Sequence, residues 1–295
     1  MTPDILCIGS VLWDIIGRAD RTMALGADVP GRITRIPGGV AMNIAMTLAR
    51  LGLRPALLTA IGRDAEGDDL IQQAASLGLD TGFVYRTSRP TDRYMAVEGA
   101  NGLIAAIADA HSLEAAGADI LTPLTDGRLG TADAPWRGLI ALDGNLTESL
   151  LTQIAAAPAF AAADLRIAPA SPGKAARLAP LMRHPRATLY VNLEEANILT
   201  QGHAITAHDA ARAMLAIGAA RVLVTNGAHP AACAQATGGA VISATPPRIT
   251  PRRITGAGDT FMAAHIIAER SGMAREGALT SALQAAADYV AGAAA

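Results

Sequence analysis

The feature of this sequence that most constrains its fold is the alternation of short apolar runs with longer amphipathic stretches. Runs rich in β-branched residues predict buried strands at residues 5–8, 56–61, 139–142, 165–168, 189–191 and 222–224. Stretches with helical periodicity lie between them, at residues 40–51, 68–77, 148–156, 207–215 and 258–269. Strands that alternate with helices predict a mainly parallel sheet covered by helices on both faces, which is an α/β fold of three layers.

Two segments, at about residues 13–36 and 92–108, interrupt this alternation. In the second segment, residues 94–98 and 103–108 flank the turn-forming residues 99–102, which predicts a β-hairpin. The two segments together could form a small sheet, and such a sheet over the carboxyl edge of the parallel strands would act as a lid. Because no internal repeat or low-complexity linker divides the chain, we expect residues 1–295 to form one domain with the lid inserted in it.

Composition argues against several classes of function. A formal net charge of -2 provides no positive field for a polyanion, so nucleic acid is not an expected partner and a small molecule is. No basic leader precedes the first apolar run, and no run approaches the ~18 apolar residues of a membrane span, so neither a signal peptide nor a membrane helix is expected. Cys7 and Cys233 lie far apart in apolar runs, which indicates reduced core thiols in a cytoplasmic protein.

The segment with the clearest chemistry is a glycine-rich turn at the start of the last of these helices, Thr255-Gly256-Ala257-Gly258-Asp259. Glycines allow the main chain to approach an anion, and the N–H groups at a helix N-terminus attract it. Asp259 places a carboxylate at the same point, so a base and an oxyanion site would adjoin, as phosphoryl transfer requires. The alternative is an ordinary tight turn in which Asp259 only caps the helix.

This turn resembles the Gly-Ala-Gly-Asp signature of the ribokinase family, also called the PfkB-type carbohydrate kinases. Further segments resemble other family signatures in the family's order: Gly-Gly-x-x-x-Asn at residues 38–43, its continuation at 61–67, Asn-x-x-Glu at 192–195 and Thr-x-Gly at 225–227. The match spans nearly the whole chain. It implies a ribokinase-like three-layer α/β/α fold with a small β lid, and ATP-dependent phosphorylation of a sugar or nucleoside hydroxyl.

The substrate would bind near the first predicted strand. Gly38 and Gly39 permit close approach of the backbone to a polar ligand, and Asp14 and Asn43 offer a carboxylate and an amide to vicinal hydroxyls. Tyr94, on the proposed lid, could cover a nucleobase. The alternatives are a surface carboxylate for Asp14, an ordinary helical position for Asn43 and a packing role for Tyr94.

The resemblance also implies the catalytic and nucleotide-binding residues. Asp259 would be the base, and Gly256, Ala257 and Gly258 would hold the transferred phosphoryl group. Contacts with ATP would come from the following residues: Asn192, Glu195, Thr225, Gly227 and Thr255. Glu195 would order Mg²⁺ and its waters. A first-turn acid that complements a helix dipole is the other interpretation here, and it accounts for Glu194.

Two departures from the family pattern affect these expectations. Arg253 stands where many relatives have Asp, which argues against activation by a monovalent cation. Residues 168–171 read Ala-Pro-Ala-Ser where many relatives read Asp-Pro-Asn, which weakens a phosphate contact there. Lys174, three residues later, could supply the missing charge or be a surface lysine. No Walker sequence is present, so a P-loop kinase is not expected.

Within the family the chain looks most like the pseudouridine kinase branch, through residues 39–45, 91–97, 106–109 and 143–146. The implied reaction transfers the ATP γ-phosphoryl group to the 5'-hydroxyl of pseudouridine. A ribokinase-like or fructokinase-like sugar kinase and a catalytically inactive nucleoside sensor are the alternatives. A nicotinamide-dependent oxidoreductase is disfavoured because no Gly-x-Gly-x-x-Gly follows the first strand. Unpaired edges of the lid sheet would favour a homodimer.

Overall fold

The chain folds into fourteen strands and ten α-helices within residues 2–253 and 255–293, which the computed structural model describes. The strands are β1 (Ile5–Ile8), β2 (Leu12–Arg18), β3 (Arg32–Gly38), β4 (Pro55–Leu58), β5 (Ala60–Gly62), β6 (Tyr85–Thr87), β7 (Arg93–Gly99), β8 (Gly102–Asp109), β9 (Leu139–Asp143), β10 (Asp164–Ala168), β11 (Ala187–Asn192), β12 (Arg221–Asn226), β13 (His229–Gln235) and β14 (Ile242–Ala244). The helices are α1 (Val40–Arg50), α2 (Ala65–Ser76), α3 (His111–Ala116), α4 (Glu148–Ala156), α5 (Pro158–Ala161), α6 (Pro172–Ala175), α7 (Leu193–Thr200), α8 (Ala207–Ala216), α9 (Ala257–Arg270) and α10 (Arg275–Ala291), with 3₁₀ turns at Gly117–Leu124 and Ala176–Leu181.

Eight of these strands form the main sheet, in the order β14-β13-β12-β11-β10-β9-β1-β4. The pairs that involve β13 are antiparallel, and the others are parallel. The parallel strands therefore present their carboxyl ends at one edge of the sheet, which is where open α/β sheets bind ligands.

Helices cover both faces of this sheet because its strands send side chains alternately into two apolar layers. On β1, Leu6 and Ile8 pack into one hydrophobic cluster, and Ile5 and Cys7 pack into the other. Helices α4 and α8 close the first layer, and α1, α2, α9 and α10 close the second. This arrangement confirms the expected three-layer α/β/α fold.

The prediction of one strand over residues 56–61 is wrong. The chain breaks at Thr59, so that β4 pairs with β1 in the main sheet and β5 pairs with β6 in a separate two-stranded sheet. Both pieces are fully buried, so the apolar run continues across the break and its periodicity cannot show where the chain leaves the sheet. Helix α2 also begins earlier than predicted, because the Asp64 carboxylate caps it by accepting the Gly67 N–H at 2.8 Å.

The segments at 13–36 and 92–108 supply a second, four-stranded sheet in the order β3-β2-β7-β8. Strands β7 and β8 form the expected hairpin. In the register of β2 with β7, Asp14 lies opposite Tyr94, and Ile16 lies opposite Ala96. Ile16 and Ala96 are buried, and side chains alternate along a strand, so Asp14 and Tyr94 share the buried face. That this sheet closes over a ligand stays a prediction.

Two further expectations concern the state of the cysteines and the absence of a membrane helix. Cys7 and Cys233 are both buried and unbridged, which confirms the prediction of core thiols. Within the part of the chain that the structure describes, no helix has both the length and the apolar character that a bilayer crossing requires.

Candidate active site

Asp259 lies in the first turn of α9, where α9 packs against α1. The amide nitrogen Nδ2 of Asn43 on α1 donates a hydrogen bond to Oδ2 of Asp259 at 2.9 Å. Withdrawal from water raises the pKa of Asp259 to about 7. The bond from Asn43 opposes this rise in pKa, whereas repulsion from the carboxyls of Asp143, Asp14 and Glu195 adds to it. A carboxyl with this pKa is matched to accepting a proton near neutral pH.

The turn before Asp259 presents unused backbone donors. Gly256 precedes α9 with a φ of 88°, a left-handed conformation that favours glycine. Among the described residues, no hydrogen bond uses the N–H groups of residues 256–259. A Cβ built at Gly258 would meet no atom within 4 Å, so the space beside the turn is open. The turn therefore places unused backbone donors beside a carboxylate, and the anion site stays a prediction. Ile254, the residue before this turn, lies outside the described residues.

Asp14 and the two glycines before α1 form the predicted substrate side. A Cβ at Gly38 would overlap the Asp14 carboxylate, and one at Gly39 would overlap the Ser10 carbonyl, so both positions need glycine. No hydrogen bond or ion pair among the described residues engages the Asp14 carboxylate. Burial raises the pKa of Asp14 to about 6. An acceptor without a protein donor is suited to binding hydroxyls.

Tyr94 lies across from Asp14 on the neighbouring strand, in agreement with the expectation that the two segments form one small sheet. Burial, followed by the nearby Asp14 and Glu98 carboxyls, raises the pKa of the Tyr94 phenol. The side chain is half-buried. The structure thus brings Tyr94 to the face of the small sheet that carries Asp14.

The structure gives Asn43 a different environment from the one that the sequence suggests. Its amide nitrogen donates to Asp259, so this group holds the Asp259 carboxylate and is not free for a substrate hydroxyl. No hydrogen bond among the described residues uses its side-chain oxygen, which stays available to a ligand. Sequence reasoning missed the Asn43–Asp259 bond because 216 residues separate the partners.

Asn192 and Glu195 stand at the carboxyl end of β11 and begin α7. They form a capping box, in which the Asn192 side chain accepts the Glu195 N–H and the Glu195 Oε2 accepts the Asn192 N–H, both at 2.8 Å. Asn192 and Glu195 therefore have a structural role at the start of α7. Burial raises the pKa of Glu195, and the bond from the Asn192 backbone opposes that rise.

Glu195 has a carboxylate oxygen that could contact a magnesium ion bound to a nucleotide. Its Oε1 has no hydrogen-bond donor among the described residues. In the same part of the chain, no group of three or more His, Cys, Asp or Glu side chains could hold a metal by itself. Mg²⁺ commonly takes one or two carboxylates and completes its shell with phosphates and waters. One buried carboxylate at the carboxyl edge of the sheet fits an ion that arrives with a nucleotide.

Thr225 and Gly227 lie beside this pair at the same edge. Thr225 on β12 is in register with Asn192 on β11, and Gly227 forms the turn to β13 with a φ of 54°. Asn226, between them, shares an open cleft with Glu194. Thr255, on the turn before α9, is exposed, and its carbonyl accepts the Tyr289 hydroxyl at 3.0 Å. The predicted nucleotide residues therefore follow the ends of β11 and β12 and the start of α9.

A buried polar network lies behind the substrate side, and the sequence analysis did not assign it. The Asp143 carboxylate is fully buried and accepts the N–H groups of Ser10, Ala41 and Asn145 and the Ser10 hydroxyl, at 2.8–3.1 Å. Ser10 Oγ in turn accepts the N–H of Val40, the first residue of α1. The network thus fixes the start of the helix that carries Asn43. Asp143 follows the apolar run of residues 139–142, and this position at the end of a buried strand could have identified it from the sequence.

Lys174 extends this network toward α6. Its ammonium group donates to the side-chain oxygen of Asn145, whose amide nitrogen donates to Ser10 Oγ at 2.8 Å. Burial, followed by the nearby Arg177, lowers the pKa of Lys174. The interpretation of Lys174 as an ordinary surface lysine is therefore wrong. Among the described residues it has no ion pair, and its remaining N–H donors stay available.

Comparison with curated proteins identifies sugar and nucleoside kinases. The chain is 33% identical over 147 residues to the uncharacterized sugar kinase YeiI of Escherichia coli strain K12, a match that covers 49% of this chain and 39% of that protein. It is 27% identical over 178 residues to the pseudouridine kinase of Arabidopsis thaliana, which covers 60% of this chain and 45% of that protein. The matched part spans less than half the length of either relative.

Comparison with solved structures supports the fold over the whole chain. The ribokinase of Arabidopsis thaliana, solved with ribose and ATP, aligns with a TM-score of 0.75 and 22% identity, covering 98% of this chain and 93% of that one. At this identity the likeness shows the fold alone, and it confirms the ribokinase-like prediction. A family model described as pfkB family carbohydrate kinase matches residues 2–292. The chain therefore belongs to the pfkB family of carbohydrate kinases.

Proposed function

We propose that this protein transfers the γ-phosphoryl group of ATP to the 5'-hydroxyl of a nucleoside, and that the nucleoside is pseudouridine. The observation that carries the proposal is the Asp259 carboxyl, which has a pKa of about 7, is held by Asn43 and adjoins unused N–H groups of the preceding turn. A base and an oxyanion site at one point are what in-line transfer to a hydroxyl needs.

In this mechanism Asp259 accepts the proton of the attacking hydroxyl while the N–H groups of Gly256, Ala257 and Gly258 hold the oxygens of the transferred group. Asn43 keeps the carboxylate oriented by the bond to Oδ2. Bound Mg²⁺ would neutralise charge on the nucleotide phosphates. Glu195 would hold that ion through Oε1, while Oε2 remains in the capping box.

Lys174 would add positive charge near the nucleotide phosphates. It lies on α6, which follows β10, and its ammonium group is bound to the neutral side chain of Asn145. A half-buried ammonium with spare donors at the carboxyl edge can bind a phosphate oxygen. We propose that it does the work that an Asp-Pro-Asn segment does in other members of the family.

The nucleoside assignment depends on the substrate side and on the relatives. Asp14 offers an acceptor without a protein donor to the ribose diol, and Tyr94 beside it offers an aromatic surface to the base. Residues 91–97 and 143–146, which resemble the pseudouridine kinase branch, border the small sheet and the Asp143 network. Similarity to an Arabidopsis pseudouridine kinase supports the same choice. A sugar kinase of the ribokinase type is the second candidate, because the Asp14 diol site suits a free ribose as well.

The proposal is tested by incubating the purified protein with ATP and Mg²⁺ against pseudouridine, uridine, cytidine, adenosine, ribose and fructose, and following ADP release. We expect turnover of pseudouridine, and its loss in the Asp259→Asn variant. Turnover of ribose or fructose in place of any nucleoside would keep the kinase and refute the nucleoside assignment. If no acceptor yields ADP while calorimetry detects nucleoside binding, the protein is a sensor and the proposed activity is wrong.

We also propose that two copies pair through the small sheet. The face opposite Asp14 carries exposed apolar side chains, with Ile33 78%, Ile107 64% and Met95 47% exposed. Neighbouring apolar side chains on a face of this kind favour association. Light scattering of the wild type should give twice the chain mass, and Ile107→Glu should give one chain mass with substrate binding retained. A wild-type protein of one chain mass at micromolar concentration would refute the dimer.

A further inference from the structure

The turn before Asp259 is held by the last turn of α10. The hydroxyl of Tyr289 donates to the carbonyl oxygen of Thr255 at 3.0 Å. The same phenol packs so closely on the turn that a Cβ at Gly256 would lie 2.5 Å from its oxygen. Glycine at position 256 is therefore needed both for its φ of 88° and for the approach of Tyr289.

Arg253 holds Tyr289 in this position. Its guanidinium lies over the Tyr289 ring, 3.7 Å from the ring centroid, and its Nε donates to the Tyr289 carbonyl at 2.8 Å. The backbone N–H groups of Arg252 and Arg253 also donate to the carbonyl of Val290, at 2.9 and 3.2 Å. The chain that enters the turn is thus bound to α10 through side chains and backbone together, and the cation–π contact favours the observed ring position.

The contact with Thr255 has a consequence for the anion site. In a trans peptide the carbonyl and the following N–H point in opposite directions. When Tyr289 binds the Thr255 carbonyl, it also sets the direction of the Gly256 N–H, the first of the unused donors. Preorganised donors stabilise a transition state because they need no reorientation when charge develops.

We propose that Tyr289 is a positioning residue for the phosphoryl-binding turn, acting through the Thr255 carbonyl and itself held by Arg253. This proposal rests on the proposed kinase activity and assigns the C-terminal helix a part in it. Tyr289 does not touch the reacting atoms. It acts on the direction of the backbone donors at Gly256 and beyond.

The test compares Tyr289→Phe with the wild type. This change removes one hydroxyl and keeps the ring against Arg253 and Gly256. Loss of one hydrogen bond that orients the donors should lower kcat about 2- to 12-fold. The KM for the nucleoside should not change, because the Tyr289 hydroxyl binds Thr255 and not the proposed substrate residues Asp14 and Gly38. An unchanged kcat, or a rise in the nucleoside KM that accounts for the whole effect, would overturn the proposal.

Tyr85→Phe is the matched control. Tyr85 is partly buried on β6, and its hydroxyl makes no hydrogen bond among the described residues. The control should keep the wild-type kcat, and a fall equal to that of Tyr289→Phe would overturn the proposal. Arg253→Met is the second variant. It removes the guanidinium over the Tyr289 ring and should also lower kcat.

Hydrogen exchange of the protein without substrate separates this proposal from the proposed activity. The amides in the first turn of α9, including Thr260, which donates to the Gly256 carbonyl at 3.0 Å, should exchange faster in Tyr289→Phe than in the wild type or in Tyr85→Phe. Unchanged exchange would overturn the positioning role. If the wild type turns over no acceptor, the activity is refuted, and the exchange result still decides whether Tyr289 holds the turn.

Discussion

Replacing Asn43 with alanine should raise the pH at which the protein becomes active. Asn43 donates to the Asp259 carboxylate at 2.9 Å, and this bond stabilises the ionised form. A hydrogen bond to a charged group is worth about 1.5–3 kcal/mol, which corresponds to a change of roughly one to two units in the pKa of the carboxyl. The pKa of Asp259, about 7 in the wild type, should therefore rise further in Asn43→Ala.

The size of the effect follows from the ionised fraction. With a pKa of about 7, about half of the Asp259 carboxyls are ionised at pH 7. A rise in pKa by one unit would leave about a tenth ionised, so kcat at pH 7 should fall about fivefold and recover largely by pH 9. The sign is fixed because only the ionised carboxylate can accept the hydroxyl proton.

The assay measures kcat against pH from 5.5 to 9.5 under saturating ATP, Mg²⁺ and acceptor. Met46→Ala is the control, since it shortens a partly buried side chain on the same helix that makes no hydrogen bond to Asp259. The acidic limb should move in Asn43→Ala alone. If kcat of Asn43→Ala falls by the same factor at every pH, Asn43 does not act through the pKa of Asp259, and this reasoning is refuted.

Three further predictions concern the remaining charged groups of the site. Asp259→Asn should raise the melting temperature at pH 8 and leave it unchanged at pH 4. A carboxyl whose pKa is raised on folding destabilises the folded protein as the pH rises from about 4 to 7, and the variant lacks this carboxyl. Equal shifts of the melting temperature at both pH values would contradict this. Glu195→Gln keeps an acceptor for the capping box but loses the charge, so the Mg²⁺ concentration for half-maximal rate should rise about tenfold at unchanged melting temperature, whereas Glu194→Gln should alter neither. Lys174 is the one lysine in the sequence, so acylation at this residue can be followed by mass spectrometry; ATP with Mg²⁺ should slow it, and an unchanged rate would remove Lys174 from the phosphate site.

The structure changes the interpretation of three polar residues more than it changes the fold. Asn43 was expected at the substrate, but its amide nitrogen holds the base. Asn192 and Glu195 were expected at the nucleotide, and they are also the capping box of α7, so one oxygen of Glu195 has a structural role. A substitution that removes one of these hydrogen-bonding groups will therefore change local structure as well as any ligand contact, and conservative variants such as Glu195→Gln are needed to separate the two effects.

The sequence by itself determined the order of the elements and the edge of the sheet at which the site lies. Hydrophobic period distinguishes buried strands from amphipathic helices, because each period is set by local backbone geometry. The last residues of β11 and β12, such as Asn192 and Thr225, must then share one edge because parallel strands end together. The glycine-rich turn before Asp259 is likewise a local feature, and the sequence alone predicted an anion site there.

Only the tertiary structure decided which side chains meet across the chain. The bond of Asn43 to Asp259 exists because α1 packs on α9, and the contact of Tyr289 with Thr255 exists because α10 packs beside the turn. The pKa of Asp259 depends on burial and on carboxyls from three other elements, and no local pattern contains that information. Contacts between distant residues depend on how complete layers pack, whereas periodicity records only which face of one element is apolar.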